Sequence, residues 1–459
     1  MRKPTRLALA VGLGALVLAS LLWASRPGLR ADDPEPWELY GGHDGYYIAR
    51  GWTEGYSSEP LPARPVAAAG LSMPHTFYLP LVRTAPPPPP QPRETRALWV
   101  TRWDFKTASD IQSIVDKAAY AHLNTILFQV RGQADALYRP GLEPWSAVLS
   151  GTLGQDPGWD PLAEMIVRAH AKGLEVHAWI NTYPAWLGTT PPSWYAQPEP
   201  MYHRFNRDYG TWWVHWYKEP PRPTTLNGSY LWASPGHPAV ADRVVAVCKD
   251  LFTRYELDGL HFDYVRYNDL GRPYSYDPPS RYAYADALTT NPSLTYADWQ
   301  RAQITGLLQR VRREVLPLRP SAHLTTSAWP IYDKTRYDWF PSTGPDGYND
   351  CYQDSEGWAR AGVVDGIMPM LYTYSVHDYR DRFAQLTNDF VRNSRPGPVY
   401  IGIEGDYQSF TEIAWRIETA RAAGARGQSL FSYRLFDQYN HWQALRDGPY
   451  KEVTVPDWP

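Results

Sequence analysis

Cysteine is nearly absent from this chain, whose 459 residues include only Cys248 and Cys351. Two cysteines are too few for a disulfide framework or a cysteine-based zinc site, and the sequence leaves a single bridge between them open. An excess of charge of one sign is also missing, because the formal net charge is only -3. No polyelectrolyte partner is therefore predicted, and nucleic acid is not expected.

A glycine-rich phosphate loop and internal repeats at solenoid periods are missing as well. The one long hydrophobic run covers residues 7–23 and follows the basic start MRKPTR, the order of a secretory signal. Residues 1–25 are therefore predicted to be a signal peptide or an uncleaved membrane anchor, and the protein to be exported to the cell envelope or the medium. Residues 26–93, which end in a run of prolines, are predicted to be a low-order linker.

Aromatic residues are the abundant class, and 21 Trp and 33 Tyr stand against 12 Phe. Rings with a polar group are thus favoured over rings that only fill a core. Because such rings stack on the apolar faces of pyranoses, the composition favours a sugar-binding cleft over an ordinary aromatic-rich core. Residues 191–228 are expected either to form extra sugar subsites or to cover a barrel edge, and they contain Trp194, Trp212, Trp213 and Trp216.

Short apolar runs alternate with amphipathic stretches through the rest of the chain. Eight strands are predicted at residues 97–101, 125–130, 175–180, 259–262, 323–328, 366–370, 399–403 and 429–433. Helices are predicted between most of them, at residues 109–121, 161–172, 238–255, 296–316, 377–393 and 410–423. This alternation predicts an α/β fold, a (β/α)8 TIM barrel with enlarged βα loops over residues 94–450, followed by a C-terminal tail at 451–459.

Two acidic residues end predicted strands at the carboxyl side, where a TIM barrel has its active site. The run HFDYVRY at residues 261–267 brings Asp263 to the end of the fourth strand, and YIGIEG at 400–405 brings Glu404 to the end of the seventh. Glycoside hydrolysis requires two carboxyl groups, one to protonate the leaving oxygen and one as nucleophile or base. Asp263 and Glu404 are therefore the predicted catalytic pair.

The neighbours of the two carboxyls predict different ionisation. Asp263 is expected to keep a low pKa beside the cation of Arg266 and, if it is protonated, that of His261, which suits a nucleophile or charge stabiliser. Glu404 is expected to have a pKa raised by desolvation, which suits an acid. Glu143 and Asp365 are two alternatives to Glu404 as the second catalytic carboxyl.

Further polar and aromatic residues near the strand ends are predicted to bind substrate: Trp103, Arg131, Asp135, Glu143, His177, Trp179, Asn181, Tyr183, His261, Arg266, Trp329, Tyr372 and Tyr374. On the third strand, the alternation directs His177, Trp179 and Asn181 inward. Arg131 has a structural alternative as the partner of Asp135, and His177 as a core histidine. His177, His261 and Asp263 lack a recognised metal-ligand spacing, and neither a metal nor another cofactor is predicted.

Several long motifs occur in a fixed order, among them RALWVTRWD at residues 96–104, NTILFQVRGQADALY at 124–138, YELDGLHFDYVRY at 255–267 and YQDSEGWARAGVVDGIMPMLY at 352–372. Together they resemble glycosyl hydrolase-like family 10, a family of exported bacterial barrel proteins. The resemblance implies a TIM-barrel glycosidase and, by analogy, denuded peptidoglycan glycan strands as a substrate. The family pattern usually reads HFDDY, and this chain has one aspartate where two acids are common.

The leading prediction is an exported hydrolase of a bacterial polysaccharide that acts without a cofactor. A non-catalytic carbohydrate-binding barrel is the alternative that the missing second aspartate favours, and a metal-dependent glycan deacetylase is a third. Residues 7–23 leave a membrane tether open, and the sequence does not determine the oligomeric state.

Overall fold

The structure is a computed structural model and describes residues 92–268, 275–372 and 374–459. The predicted signal or anchor at residues 1–25, and all of the predicted linker except its last two residues, lie outside the described residues. None of the helices in the described part of the chain is long and apolar enough to cross a membrane. Cys248 and Cys351 are both buried, and no disulfide bridge joins them.

Eight parallel strands form one sheet: β1 (Thr95–Val100), β2 (Thr125–Arg131), β3 (Glu175–Asn181), β4 (Gly259–Asp263), β5 (His323–Ala328), β6 (Gly366–Pro369), β7 (Tyr400–Glu404) and β8 (Gly427–Phe431). Their spatial order is β6-β5-β4-β3-β2-β1-β8-β7. Parallel bridges between Ile367 and Val399 and between Met370 and Gly402 join the two edge strands. The predicted TIM barrel is confirmed, and the strand bounds differ from the predicted ones by no more than two residues.

Glycine makes the closure between β6 and β7 feasible. A Cβ atom on Gly402 would lie 2.4 Å from the carbonyl oxygen of Pro369, and one on Gly366 would lie 2.3 Å from the Tyr400 ring. Pro369 also lacks a backbone N–H, so this junction has fewer ladder hydrogen bonds than the others. The backbones of β6 and β7 therefore pack closely at this junction, where the ladder hydrogen bonds are fewer.

Several helices begin and end at residues with recognisable capping geometry. Thr107 and Asp110 form a capping box, Asp160 caps a helix that begins with Pro161, and Gly424 ends another with a positive φ. The helices cover Ala108–Tyr120, Ala147–Ser150, Pro161–His170, Met201–Tyr209, Pro238–Arg254, Pro278–Thr290, Tyr296–Glu314, Ser355–Arg360, Tyr374–His377, Arg380–Asn393, Phe410–Ala423, Tyr433–Gln438 and Trp442–Asp447. Short 3-10 turns occur at Leu316–Leu318 and Lys334–Arg336. All six predicted helices are therefore present, and the loops contain additional helices, the longest of which is Pro278–Thr290 with 13 residues.

The barrel interior is filled by side chains and leaves no pore. Its core consists of Ala97, Trp99, Leu127, Trp179, Met368, Tyr400 and Trp458. Trp458 comes from the C-terminal tail and enters at the amino ends of the strands, where its ring lies 4.7 Å from the Tyr400 ring and its Nε1 donates to Glu175 Oε2 at 2.6 Å. The tail thus covers the end of the barrel opposite the carboxyl ends of the strands.

The segment between β3 and the helix Pro238–Arg254 is an enlarged loop with its own structure. In it, Pro184–Leu187 pairs with Tyr230–Trp232 in antiparallel fashion. Trp213 is buried against Phe205, whereas Trp194 is 69% exposed. Part of the predicted aromatic tract therefore packs into the main hydrophobic core, and part of it faces solvent.

Candidate active site

Asp263 is the last residue of β4, and its side chain lies at the carboxyl-end rim of the barrel. Its Oδ1 accepts hydrogen bonds from Ser327 Oγ on β5 and from the Tyr264 backbone N–H, both at 2.7 Å. Tyr264 has a φ of 51°, an uncommon conformation for a non-glycine residue, and it turns the chain sharply behind the carboxyl. Asp263 is 6% exposed. The carboxyl is therefore held in one orientation by two neighbouring strands and a turn.

Burial raises the pKa of Asp263, and the Ser327 hydroxyl, the charge of Arg266 and the Tyr264 N–H offset this only in part. The predicted low pKa is therefore wrong. The expected second cation is missing because His261 is fully buried, and burial lowers its pKa well below the usual value. A neutral imidazole cannot stabilise the Asp263 carboxylate by charge.

His261 belongs to the barrel interior beneath the rim. Its ring packs edge-on against Trp99 at 4.5 Å, and its Nδ1 lies 2.9 Å from Thr325 Oγ1. As residue i−2 to Asp263, it points to the same inner face one layer lower. Because these contacts enclose the ring completely, we do not retain His261 as a substrate-binding residue.

Glu404 is the last residue of β7 and is 9% exposed. Its Oε2 lies 2.9 Å from Nδ1 of His377, which ends the short helix Tyr374–His377. Burial raises the pKa of Glu404, and the hydrogen bond and charge of His377 offset part of that rise. The predicted direction of the pKa is confirmed. His377 was missed because only the fold brings it to β7; in the sequence it marked the start of a helix.

The charges of both carboxyls act on Tyr372, although β4 and β7 are not adjacent. Its ring stacks on Phe431 with centroids 5.0 Å apart. Burial, followed by the negative charges of Asp263 and Glu404, raises the pKa of the Tyr372 hydroxyl well above its usual value. The hydroxyl therefore lies in the electric field of both carboxyls and stays protonated, able to donate a hydrogen bond at the mouth of the barrel.

Arg266 is held by aromatic rings on the Asp263 side of the rim. Its guanidinium lies 4.6 Å from the Trp329 ring centroid, 5.0 Å from that of Tyr264 and 5.3 Å from that of Trp232. Trp329 is itself fixed by a hydrogen bond from its Nε1 to the Pro345 carbonyl at 2.9 Å. These contacts place a cation and an aromatic ring next to Asp263, as predicted from the strand ends.

A second aromatic group lies on the β1 and β2 side of the rim. Trp103 is 53% exposed, and the Arg102 guanidinium lies 4.9 Å from its ring. Arg102 Nη2 donates to the Tyr230 hydroxyl of the enlarged loop at 2.8 Å. Burial raises the pKa of Tyr230, Arg102 lowers it, and the charges of Asp135 and Asp263 raise it further. Tyr230 therefore lies between the Trp103 side and the Asp263 side, and sequence reasoning missed it.

Arg131 and Glu143 form a buried ion pair behind the rim. Arg131 Nε and Nη2 donate to the two Glu143 oxygens at 2.8 and 2.9 Å, and Arg243 Nε lies 3.5 Å from Oε1. Glu143 is 0% exposed and Arg131 2%. The expected structural partner of Arg131 was Asp135, which instead accepts from the backbone N–H of Gln133 at 2.9 Å. The geometry assigns Arg131 and Glu143 to the scaffold, so they leave the set of substrate-binding and acid candidates.

The third-strand prediction is correct in direction, but His177 and Trp179 lie below the rim, and only Asn181, which pairs with Asp263, lies at the level of the rim. His177 lies near the bottom of the barrel, 5.0 Å from the Trp458 ring, and Trp179 packs edge-on against Trp99 at 4.7 Å. Asn181 donates to the Gly132 carbonyl at 3.0 Å. These three contacts are internal and hold the scaffold together, so we do not retain the three residues as sugar ligands.

Three other predicted residues have different outcomes. Tyr183 is 1% exposed, with its hydroxyl enclosed, and is also part of the core. Asp365 accepts from the Leu324 N–H at 2.8 Å at the amino end of the barrel, which excludes it as the acid. Tyr374 begins a short helix near Glu404, and its side chain lies outside what the structure describes. Within the described ranges, no group of three or more His, Cys, Asp or Glu is placed to hold a metal ion.

Comparison with protein families decides which family this barrel belongs to. The glycosyl hydrolase-like 10 family matches residues 94–411, well over half of the chain. The chain belongs to this family. The matched range includes β1 to β7, and therefore both Asp263 and Glu404.

Named glycosyl hydrolases are among the relatives of this glycosyl hydrolase-like 10 chain. Glycosyl hydrolase DigH of Escherichia coli (strain K12) is 26% identical over 363 residues, which cover 72% of this chain and 78% of that protein. Glycosyl hydrolase YngK of Bacillus subtilis (strain 168) is 27% identical over 330 residues, covering 68% of this chain and 60% of that protein. Family and relatives together class the chain as a glycoside hydrolase.

Solved structures show the same fold. The PgaB (BpsB) glycoside hydrolase domain from Bordetella bronchiseptica superposes with a TM-score of 0.56 at 13% identity and covers 80% of this chain and 100% of that one. The catalytic domain of a beta-amylase from Paenibacillus polymyxa reaches a TM-score of 0.51 at 10% identity, with 75% and 94% covered. At such identities the likeness concerns the fold of this glycosyl hydrolase-like 10 barrel alone.

Proposed function

We propose that this glycoside hydrolase cleaves a bacterial polysaccharide at the carboxyl-end mouth of its barrel, with Asp263 and Glu404 as the two catalytic carboxyls. The observation that carries the proposal is the pair itself. Both groups are buried at strand ends, both have raised pKa values, and both act on the hydroxyl of Tyr372. Glycosidic bond hydrolysis uses two such groups around an oxocarbenium-like transition state.

The two carboxyls have different surroundings, which supports different roles. Asp263 receives the Ser327 hydroxyl and a backbone N–H and lies in the field of Arg266, all of which favour its ionised form. Within the part of the chain that the structure describes, Glu404 has one side-chain hydrogen-bond partner, His377, and burial raises the pKa of Glu404. We therefore assign the nucleophile, base or charge-stabilising role to Asp263 and the acid role to Glu404.

Aromatic rings at the rim support a sugar ligand. Trp103 offers an exposed ring on one side, and Trp329 lies on the other side beside Arg266. Between them, the Tyr230 and Tyr372 hydroxyls are available as hydrogen-bond partners for sugar hydroxyls. A polysaccharide chain lying across the mouth would place one pyranose above the carboxyls and its neighbours on the aromatic rings.

The proposed substrate is denuded peptidoglycan glycan strands, a choice supported by the motifs shared with the family. Export to the cell envelope or the medium, with cleavage of the segment 1–25 or its retention as a tether, is proposed from the N-terminal sequence pattern. Export would bring the enzyme to the compartment where cell-wall glycan occurs, so the two proposals are consistent with each other.

The test is to incubate the full chain with denuded glycan strands and with intact sacculi and to identify the products by mass spectrometry. The wild type is expected to shorten the glycans, and Asp263→Asn to lose activity by about 10²–10⁴-fold. Asp242→Asn is the matched control, because Asp242 is exposed and pairs with Arg310 away from the mouth. A folded Asp263→Asn protein that keeps wild-type activity would defeat the assignment. Glycan binding without cleavage by the wild type would favour the carbohydrate-binding barrel.

A further inference from the structure

Among the described side chains, His377 is the one that hydrogen-bonds the Glu404 carboxyl, and it is itself held on several sides. Its ring stacks on the Tyr407 ring with centroids 4.3 Å apart and planes 5° from parallel. Its carbonyl oxygen accepts from the Tyr407 hydroxyl at 3.0 Å and from Arg416 Nη2 at 2.6 Å. The imidazole is therefore fixed in plane and depth, with Nδ1 directed at Glu404 Oε2 at 2.9 Å.

The charged groups around this pair limit how many protons it holds. Arg416 is 1% exposed, and its positive charge opposes a second positive charge on His377. Asp378 lies at the edge, 3.9 Å from Nε2, and favours the imidazolium weakly because its side chain is exposed. Asp406 raises the pKa of Glu404 by its charge. Burial disfavours the state in which Glu404 is ionised and His377 is neutral. The charge of Arg416 disfavours the state in which both groups carry a proton and His377 is positive. The pair is therefore expected to hold one titratable proton between the two groups.

We propose that His377 is a positioning residue for Glu404, which shares one proton with it and sets the pH range in which Glu404 can protonate the leaving oxygen. This inference rests on the acid role that the proposed function assigns to Glu404. In the active form the one titratable proton of the pair is on Glu404, and His377 is neutral with its Nδ1–H directed at Oε2. In the step, the C–O bond of the leaving group breaks, its electron pair stays on the departing oxygen, and the Glu404 proton moves to that oxygen, while Asp263 or a water molecule forms the new bond to the anomeric carbon. The carboxylate that remains accepts a hydrogen bond from His377 Nδ1–H, so the imidazole stabilises the state formed by proton transfer.

The pairing predicts a defined shift in the pH dependence of kcat. An acid works while protonated, so activity falls as pH rises through the pKa of Glu404. Because the His377 hydrogen bond lowers that pKa, His377→Ala should move the basic limb to higher pH by about 1 unit and lower kcat. His377→Asn retains an N–H in the Nδ1 position and should shift the limb less. The matched control is His170→Asn at the amino end of the barrel, where His170 pairs with Asp258, and its profile should be that of the wild type.

An unchanged basic limb in a folded His377→Ala protein would overturn the inference, and so would identical shifts in His377→Ala and His377→Asn. A measurement without substrate separates this inference from the proposed function. In the full chain labelled with ¹³C-histidine, the His377 signal, identified by its loss in His377→Asn, reports the pKa of the imidazole. Glu404 raises that pKa, so it should fall in Glu404→Gln. The same pKa in both proteins would defeat the coupling of His377 to Glu404. An active Glu404→Gln enzyme in which the pKa does fall would leave the coupling in place and defeat the acid assignment, and with it the catalytic part of this inference.

Discussion

Replacement of Glu143 by glutamine tests whether the buried ion pair with Arg131 supports the barrel or binds substrate. The two Glu143 oxygens accept from Arg131 at 2.8 and 2.9 Å, and Arg243 lies 3.5 Å away. Glutamine has nearly the same shape but removes the negative charge and places an amide N–H opposite a guanidinium. An arginine cannot lose its proton to relieve this, so the two buried cations Arg131 and Arg243 would lose the carboxylate that lies between them.

Breaking a buried ion pair by removing one partner costs about 3–5 kcal/mol, and we expect Glu143→Gln to lower the free energy of unfolding by that amount. Urea unfolding followed by tryptophan fluorescence measures the change, provided that the m-value stays constant. Glu256→Gln is the matched control, because Glu256 pairs with Arg319 at the surface, with 78% of its side chain exposed. The control should unfold at nearly the wild-type midpoint.

The same variant tests the assignment of Glu143 to the scaffold. Arg131 also donates to the Asn181 carbonyl and, at 3.0 Å, to that of Thr182, whose N–H reaches the Asp263 carbonyl at 2.8 Å. These contacts do not involve Glu143 and can persist in the variant. At a temperature where the variant is folded, its KM should therefore stay near the wild-type value. A loss of stability below about 1 kcal/mol, together with a large rise in KM, would refute the reasoning and return Glu143 to the substrate site.

Two further predictions concern the rim carboxyl and the barrel seam. The pKa of Asp263 is higher in the folded protein than in the unfolded chain. Its contribution to the free energy of unfolding is therefore complete at pH values below the pKa of the unfolded chain, and it is lost as the pH rises through the pKa of the folded protein. Asp263→Asn should therefore have a higher thermal unfolding midpoint than the wild type at pH 7, and this difference should disappear below about pH 4. Equal midpoints of the two proteins at both pH values would contradict the prediction. Gly402→Ala places a Cβ 2.4 Å from the Pro369 carbonyl and should cost about 1–3 kcal/mol in urea unfolding; Gly306→Ala, which meets nothing within 4 Å, is the control.

The arrangement of the barrel followed from local patterns. The run at residues 323–328 is bounded by turn residues and forms β5 at the predicted bounds, because alternation of apolar runs and amphipathic helices depends only on neighbours in sequence. The rule that parallel strands direct their carboxyl ends to one rim placed Asp263 and Glu404 at that rim. Sequence periodicity also directed His177 and Trp179 inward, as observed.

Depth, partner and charge state were decided by the tertiary structure. Whether an inward residue lies at the rim or near the bottom depends on strand stagger, so His177 contacts the tail residue Trp458 instead of a sugar. The protonation of His261 depends on its burial against Trp99, 162 positions earlier in the sequence. The usual pKa of an exposed histidine allowed a charged His261, whereas burial in the folded barrel lowers that pKa and leaves the ring neutral.

The pairing of Glu404 with His377 likewise joins residues 27 positions apart across a loop and a helix. By itself, the sequence determined which residue types stand at each strand end, because strand and helix periods are local properties of the chain. Only the tertiary structure decided which of those groups meet and which are ionised, because hydrogen bonding and desolvation depend on atoms brought together from distant positions.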